Sequence, residues 1–256
     1  MRNRNMLGIC LLVVYGFTIQ AAKAQDLTLD QILSKNEAAL GGAEAIGKVQ
    51  SLKMTAKMMV NGGQMEVNMT IQAKRPNMVR TESAIQGKSI IAAFDGTTGW
   101  MINPLMGSSA PQKMDDKTTA SMSANDLDDS IGSLSHLKAA GSTVELLGKD
   151  TVEGTAAYKV KVTRKNGMTA TQYLDAETFL PIKVVAKVAQ MGQEVEVESY
   201  PSNYKKVEGV LFPFASDQKM NGRSVGQLII EKVEINVPMD DAIFKMPAES
   251  KPPKEK

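Results

Sequence analysis

Residues 51–72 read SLKMTAKMMVNGGQMEVNMTIQ, and their alternation decides the fold class. Leu52, Met54, Ala56 and Met58 take every second position, with Lys53, Thr55 and Lys57 between them. After Asn61-Gly62-Gly63 the period resumes: Met65, Val67, Met69 and Ile71 alternate with Glu66, Asn68, Thr70 and Gln72. A period of two places successive side chains on opposite faces of a strand, and an Asn-Gly pair supplies the positive φ angles of a tight hairpin turn. The stretch predicts a β-hairpin with one apolar face and one wet face.

The same pattern recurs downstream. Tyr158, Val160 and Val162 alternate with Lys159 and Lys161 before Asn166-Gly167; Val195 and Val197 sit between Glu194, Glu196 and Glu198; Asn221-Gly222 precedes the run 225–237. The charged partners in these runs read as the solvated face, paired across strands. Such runs joined by short turns predict an antiparallel meander of about eleven strands. Upstream, 27–40 reads as a helix, with Thr28 and Gln31 at capping-box spacing, Leu29, Ile32, Leu33 and Leu40 on one face, and Gly41-Gly42 ending it. A short turn over 43–49 follows, and strands begin at Ser51.

One region breaks the period. Between Gly107 and Gly141 strand alternation is missing, while Leu127, Ile131, Leu134 and Leu137 recur at helical spacing behind Asn125, a candidate N-cap. The reading is a helical insertion over 108–141 that lies as a lid on the sheet, long connections of this kind being common as lids and binding loops. The fold class predicted is therefore mainly β with helices (α+β), an antiparallel meander of about eleven strands with an N-terminal helix and a helical lid.

The ends carry different information. Arg2 and Arg4 precede an apolar stretch from Met6 to Ile19, and Ala22-Lys23-Ala24 precedes Gln25, which is the layout of an export signal over 1–24 cut between Ala24 and Gln25. The single domain then spans 25–247, and a Pro-, Lys- and Glu-rich tail over 248–256 reads as disordered. The whole chain has 30 bases and 28 acids, but three of the bases lie in the first 24 residues. Without them the remainder carries 27 bases and 28 acids, a net charge of −1, with no basic surplus for nucleic acid. The single Cys10 leaves with the same cut, so an oxidising compartment poses no pairing problem.

Reactive chemistry is sparse. A metal site needs a cluster of ligands, and His136 is the one histidine of the chain. Ser133, Ser135 and His136 near Asp128 and Asp129 carry no G-x-S-x-G elbow, so a hydrolase has little support. Asp115-Asp116 and Asp128-Asp129 lack calcium-loop spacing and read as charges at lid helix starts. No phosphate-binding glycine motif occurs, and no cofactor is implied. What stands out is methionine, 17 in all and 15 after residue 24. Its unbranched, polarizable side chain repacks around guests of variable shape, such as acyl chains. At about 0.8 kcal/mol per methylene, a chain of about fifteen costs on the order of 12 kcal/mol to leave in water. An ordinary core would also use these residues, and composition alone favours that reading.

The ordered set Ala73-Lys74-Arg75-Pro76-Asn77, Phe94-Asp95-Gly96, Gly99-Trp100 and Asn103-Pro104 resembles the periplasmic lipoprotein carriers of the LolA type. Phe179-Leu180-Pro181 and Phe212-Pro213 resemble broader relatives in outer-membrane lipoprotein sorting. The resemblance implies an open half-barrel plugged by helices that move to admit acyl chains. It also implies that Arg75 is a latch bonded to backbone carbonyls of the lid. On it, the apolar cavity falls to Met54, Met58, Met65, Val67, Met69, Ile71, Trp100 and Ile102 of the sheet and Leu127, Ile131 and Leu134 of the lid. The chain departs from the family in its low aromatic content, 5%, and in a longer C-terminal half.

The functional expectation is a monomeric, non-enzymatic periplasmic carrier of lipoprotein or lipid acyl chains. An inner-membrane donor and an outer-membrane acceptor would be its partners, with no nucleic acid. The alternative of another class is a periplasmic sensor or interaction module of the same fold.

Overall fold

The computed structural model describes residues 26–123, 127–190 and 193–248. The export signal, its Ala24–Gln25 cut, the candidate cap Asn125 and most of the C-terminal tail lie outside the described residues.

Helix α1, Leu29–Leu40, opens with the predicted capping box: the Thr28 hydroxyl accepts from the Gln31 backbone N–H, and the Gln31 side chain accepts from the Thr28 N–H. It buries Ile32, Leu33, Asn36 and Leu40. Gly41 ends it at φ 128°, where a Cβ would run into the carbonyl oxygen of Gly209. Only glycine lets the helix end approach that turn so closely. Helix α2, Ala43–Gly47, leads into the sheet.

Six strands follow: β1 Ser51–Val60, β2 Met65–Lys74, β3 Met78–Ile85, β4 Lys88–Phe94, β5 Gly99–Asn103 and β6 Ser108–Lys113. Three short helices come next, α3 Asp116–Ser123, α4 Leu127–Ile131 and α5 Leu134–Ala139. Seven strands complete the sheet: β7 Thr143–Val152, β8 Thr155–Thr163, β9 Thr169–Asp175, β10 Pro181–Gln190, β11 Gln193–Val207, β12 Val210–Met220 and β13 Arg223–Ile235. All thirteen form one antiparallel sheet in the order β6-β5-β4-β3-β2-β1-β13-β12-β11-β10-β9-β8-β7. The count exceeds the eleven expected, and the region after Gly107 opens with a strand, β6, before turning helical. The order has two ends, so the sheet is an open one rather than a closed barrel.

The register confirms the hairpin reading: Met54 faces Ile71, Ala56 faces Met69, Met58 faces Val67 and Val60 faces Met65. On the other side of β1, Leu52 pairs with Ile235 and Met54 with Val233. Cross-strand partners share a face, so these residues make one continuous apolar wall.

That wall is concave. Helix α3 packs against β3, β4 and β5 and also against β10. In a flat sheet β5 and β10 would lie about 38 Å apart, at about 4.8 Å per strand. An eight-residue helix is about 12 Å long. The sheet therefore curls until its two arms face each other, and the helices fill the space between.

Two apolar clusters result. Leu40, Ile46, Leu52, Met54, Phe212 and Phe214 gather around Leu127 and Ile131 of α4. Ile32 and Leu33 of α1 pack with Leu134 and Leu137 of α5 on Val160, Val162 and Leu174. Asn36 is fully buried between them and links α1 to both neighbours. Its amide donates to the Phe179 carbonyl at 3.0 Å and accepts from the Leu134 N–H at 3.3 Å.

The convex face is covered near β5. The segment after β13 returns over it, with the Ser51 hydroxyl donating to the Val237 carbonyl at 2.7 Å and Phe244 fully buried. Trp100 donates its indole N–H to the Phe244 carbonyl at 2.6 Å. The register explains this placement. Ile71 faces Thr81, Thr81 faces Ala92, and Ala92 faces Met101, so Met101 shares the concave wall. Its chain neighbours Trp100 and Ile102 consequently point to the convex side, which corrects their expected place in the cavity.

Candidate functional site

Beneath α4 lies a cavity of about 240 Å³. Met54 and Ile71 line it from the β1–β2 hairpin, Leu228 and Ile230 from β13, Phe212 from β12, Tyr204 from β11, and Pro181 and Val184 from β10. Ile131 and Gly132 line it from the α4 side. Burial holds the Tyr204 phenol well above its usual range, and it donates to the Pro181 carbonyl at 2.8 Å. Its polar end is thereby satisfied and its ring is free to act as wall.

Of the residues expected in the cavity, Met54, Ile71 and Ile131 line it. Met58, Met65, Val67 and Met69 lie on the same sheet face but outside the cavity lining, and Met65 is 38% exposed. Leu127 is buried in the cluster beside it, and Leu134 belongs to the second cluster under α1. The cavity is displaced from the methionine hairpin toward the C-terminal arm of the sheet.

Arg75 follows β2 and reaches α4. Its two terminal nitrogens meet both oxygens of Asp128 at 2.9 and 2.7 Å, and its Nε donates to the Val49 carbonyl at 2.8 Å. The partner of Arg75 is thus a carboxylate on α4, where the resemblance implied backbone carbonyls. A planar guanidinium matches a carboxylate in this two-pronged geometry. The Asp128 side chain is 8% exposed. His136 of α5 stands with Nδ1 3.5 Å from the same carboxylate and Nε2 3.8 Å from Glu37 of α1.

The next residue is held from the opposite arm. Arg164, in the β8–β9 turn, donates to Asp129 at 2.7 Å. Asn166 of that turn donates to the Ala120 carbonyl at 3.1 Å and to the Ser123 hydroxyl at 3.0 Å, holding the end of α3. Adjacent aspartates at the start of α4 are therefore gripped by arginines from β-turns seven strands apart in the sheet order. Acidic residues in a helix's first turn also suit the positive end of its dipole.

The cavity also contains polar side chains that the sequence reading passed over. Gln172 of β9, Ser199 of β11 and Gln218 of β12 line it with Ser216. Ser199 donates to the Gln218 oxygen at 2.8 Å, and the Gln218 nitrogen donates to Ser216 at 2.9 Å. Each sits at a strand position whose parity is otherwise apolar: Ala170 and Leu174 around Gln172, Val195 and Val197 before Ser199, Phe212 and Phe214 before Ser216. A polar residue at an inward parity was the available signal.

The Ser133 hydroxyl caps α5 by accepting the His136 backbone N–H at 3.4 Å. Among the described residues there is no group of three or more His, Cys, Asp or Glu placed to hold a metal. Among them also, no helix is long and apolar enough to cross a membrane.

Comparison with solved structures settles the architecture. A LolA superfamily protein from Nitrosomonas europaea superposes with a TM-score of 0.56 at 11% identity, over 86% of this chain and 98% of that one. The chain has the LolA-type fold. A second structure with this fold, an outer-membrane lipoprotein-sorting protein domain from Vibrio parahaemolyticus, gives a TM-score of 0.53 at 12% identity, over 83% of this chain and 94% of that one. A DUF1329 family protein from Desulfovibrio piger gives 0.56 at 14%, over 84% and 96%. No family model matches the sequence, and no curated protein matches it. At these identities the likeness extends to the LolA-type fold and no further.

Proposed function

We propose that this LolA-type chain is a periplasmic carrier that binds acyl chains of lipoproteins, or of other lipids, in the cavity beneath α4 for transfer toward the outer membrane. It works by burying apolar surface and makes or breaks no bonds. The observation that carries this reading is the plug: a five-residue helix closing a mainly apolar cavity, clamped by ion pairs from both arms of the sheet.

A helix of five residues has no stability of its own and persists through its contacts. Leu127 and Ile131 bury about 1.5–3 kcal/mol each. An entering acyl chain replaces those side chains with methylenes, apolar for apolar, and a long chain brings more buried surface than it displaces. The cavity of about 240 Å³ lies below the 300–1,000 Å³ usual for ligand pockets, so a long chain requires α4 to lift. Arg75 and Arg164 then act as latches, and Met54, Met58 and Met69 become wall for the longer guest.

The partners on this reading are an inner-membrane donor and an outer-membrane acceptor, served by a monomer exported with loss of residues 1–24. Native mass spectrometry of protein purified from the periplasm is expected to show bound lipid or lipoprotein. A ligand-free species that also takes up no acyl probe would overturn the proposal.

A further inference from the structure

The cavity is not uniformly apolar, and its polar groups are arranged. Val184 of β10 faces Gln172 on one side and Ser199 on the other, and Ser199 faces Gln218. Gln172, Val184, Ser199 and Gln218 therefore form one row across four adjacent strands. Apolar wall flanks the row, with Val160 opposite Gln172 on β8 and Leu228 opposite Ser216 on β13.

The hydrogen bonds along this row are unequally filled. Gln218 spends its oxygen on Ser199 and its nitrogen on Ser216. Gln172 is 3% exposed, lines the cavity, and its side-chain oxygen is buried with no hydrogen-bond partner among the described residues. Buried amide oxygens are almost always paired, because leaving one bare forfeits its hydration without replacement. A strand core loses nothing by having Val or Leu at such a position, as Ala170 and Leu174 on either side illustrate. The charge pattern is equally informative. Among the described residues no Lys or Arg lines the cavity, and the one ionisable carboxylate in the lining is that of Asp129. A free carboxylate head would be desolvated there without a cation.

Resting on the carrier reading, we infer that the row centred on Gln172 is a head-group subsite for a neutral acyl chain bearing a hydrogen-bond donor, an amide N–H or a hydroxyl. The donor meets the Gln172 oxygen, and the chain runs onto the apolar wall of β13, β1 and β2. Donor-free esters fit the cavity but leave Gln172 unpaired, and carboxylates are disfavoured by charge.

The test uses ten-carbon probes, short enough to stay soluble: decanamide, 1-decanol, methyl decanoate and decanoate at neutral pH. Each displaces a fluorescent acyl probe from the purified protein and from Gln172→Met, a near-isosteric variant whose fold is checked by circular dichroism. Decanamide or 1-decanol is expected to bind about tenfold more tightly than methyl decanoate, the size of one net hydrogen bond to a buried group. Decanoate is expected to bind more weakly than either. In Gln172→Met the preference for the donor is expected to vanish while methyl decanoate stays within about twofold. Whichever donor binds more tightly identifies the source as an N-acyl or a hydroxyl-bearing lipid. Equal affinities in the parent protein, or a preference that survives Gln172→Met, would overturn the subsite and leave the carrier reading standing. Failure of every probe, including the fluorescent one, would overturn both.

Discussion

Arg75 holds Asp128 through two parallel guanidinium–carboxylate bonds of 2.9 and 2.7 Å while its third nitrogen is fixed to the Val49 carbonyl. One side chain thus joins the end of β2, the approach to β1 and the first turn of α4.

Removing either partner strands a buried group. Asp128→Asn or Arg75→Leu is expected to lower stability by about 2–4 kcal/mol in urea melts, less for the double variant than the sum of the two. Trypsin cleavage after Lys117 and Lys138, which flank α4, should accelerate in both variants. Arg75→Lys should recover only part of the loss, because an ammonium lacks the two-pronged fit. Additive losses and unchanged cleavage would remove the latch assignment.

Ile131 is 1% exposed and closes the cavity. Ile131→Ala is expected to cost about 2–4 kcal/mol of stability and yet to tighten binding of acyl probes several-fold, since the plug no longer competes. An ordinary core residue would show the stability loss with weaker or unchanged binding.

Trp100 offers the reverse pattern. Fully buried under the C-terminal segment on the convex side, it is expected to cost about 3–5 kcal/mol on truncation to Ala. Acyl-probe affinity of the folded fraction should be unchanged. A specific loss of binding would place the indole in the ligand path.

Lys183 and Glu198 form a pair at 2.6 Å on the convex face, the Tyr200 hydroxyl also donating to Glu198 at 2.8 Å. Burial opposes the Lys183 charge, but its bonds to Glu198 and Tyr200 prevail and push it up to about 12 from 10.5. The hydrogen bond from Lys183, then that from Tyr200, holds the Glu198 carboxyl below its ordinary 4.5. A raised lysine stabilises fully below about pH 10.5 and loses that contribution as pH climbs through about 12. A depressed carboxyl stabilises above about pH 4.5 and loses its contribution as pH falls below that value. Glu198→Gln is therefore expected to cost about 2 kcal/mol at pH 7 and much less near pH 3, flattening the acid limb of the stability profile. An equal loss at both pH values would show that the pair's charge is immaterial.

The sequence was most readable where one face of a strand meets water. The β1–β2 hairpin shows this, with Lys53, Lys57 and Glu66 marking the wet side. It was least readable where both faces are covered. In Gly99-Trp100-Met101-Ile102 apolar residues occupy both parities, because the concave side meets α3 and the convex side meets the returning C-terminal segment. The strands were undercounted because Gln86-Gly87, Glu153-Gly154 and Glu208-Gly209 make hairpin turns with positive φ at both residues. A long side chain in the left-handed region is uncommon, and its turn signal is weaker than that of Asn-Gly. Strand β6 escaped because Ser108-Ser109-Ala110-Pro111-Gln112-Lys113 has little to bury. It lies on an edge, which is also why Pro111 is tolerated. The Arg75–Asp128 pair joins residues 53 positions apart, and local pattern carries no trace of such a partnership.

The strand order bears on how the molecule assembles. It has twelve strand pairings, and eleven of them link strands consecutive in the chain; the exception is β1 with β13, which sets Leu52 beside Ile235. Each arm is a run of local hairpins that closes cheaply, whereas the central seam must wait for its last strand to be synthesised and to search across the whole chain. The seam is thus expected to be the slow, late step of folding. Until it forms the two arms cannot face each other, and neither the cavity nor the clamps on α4 exist.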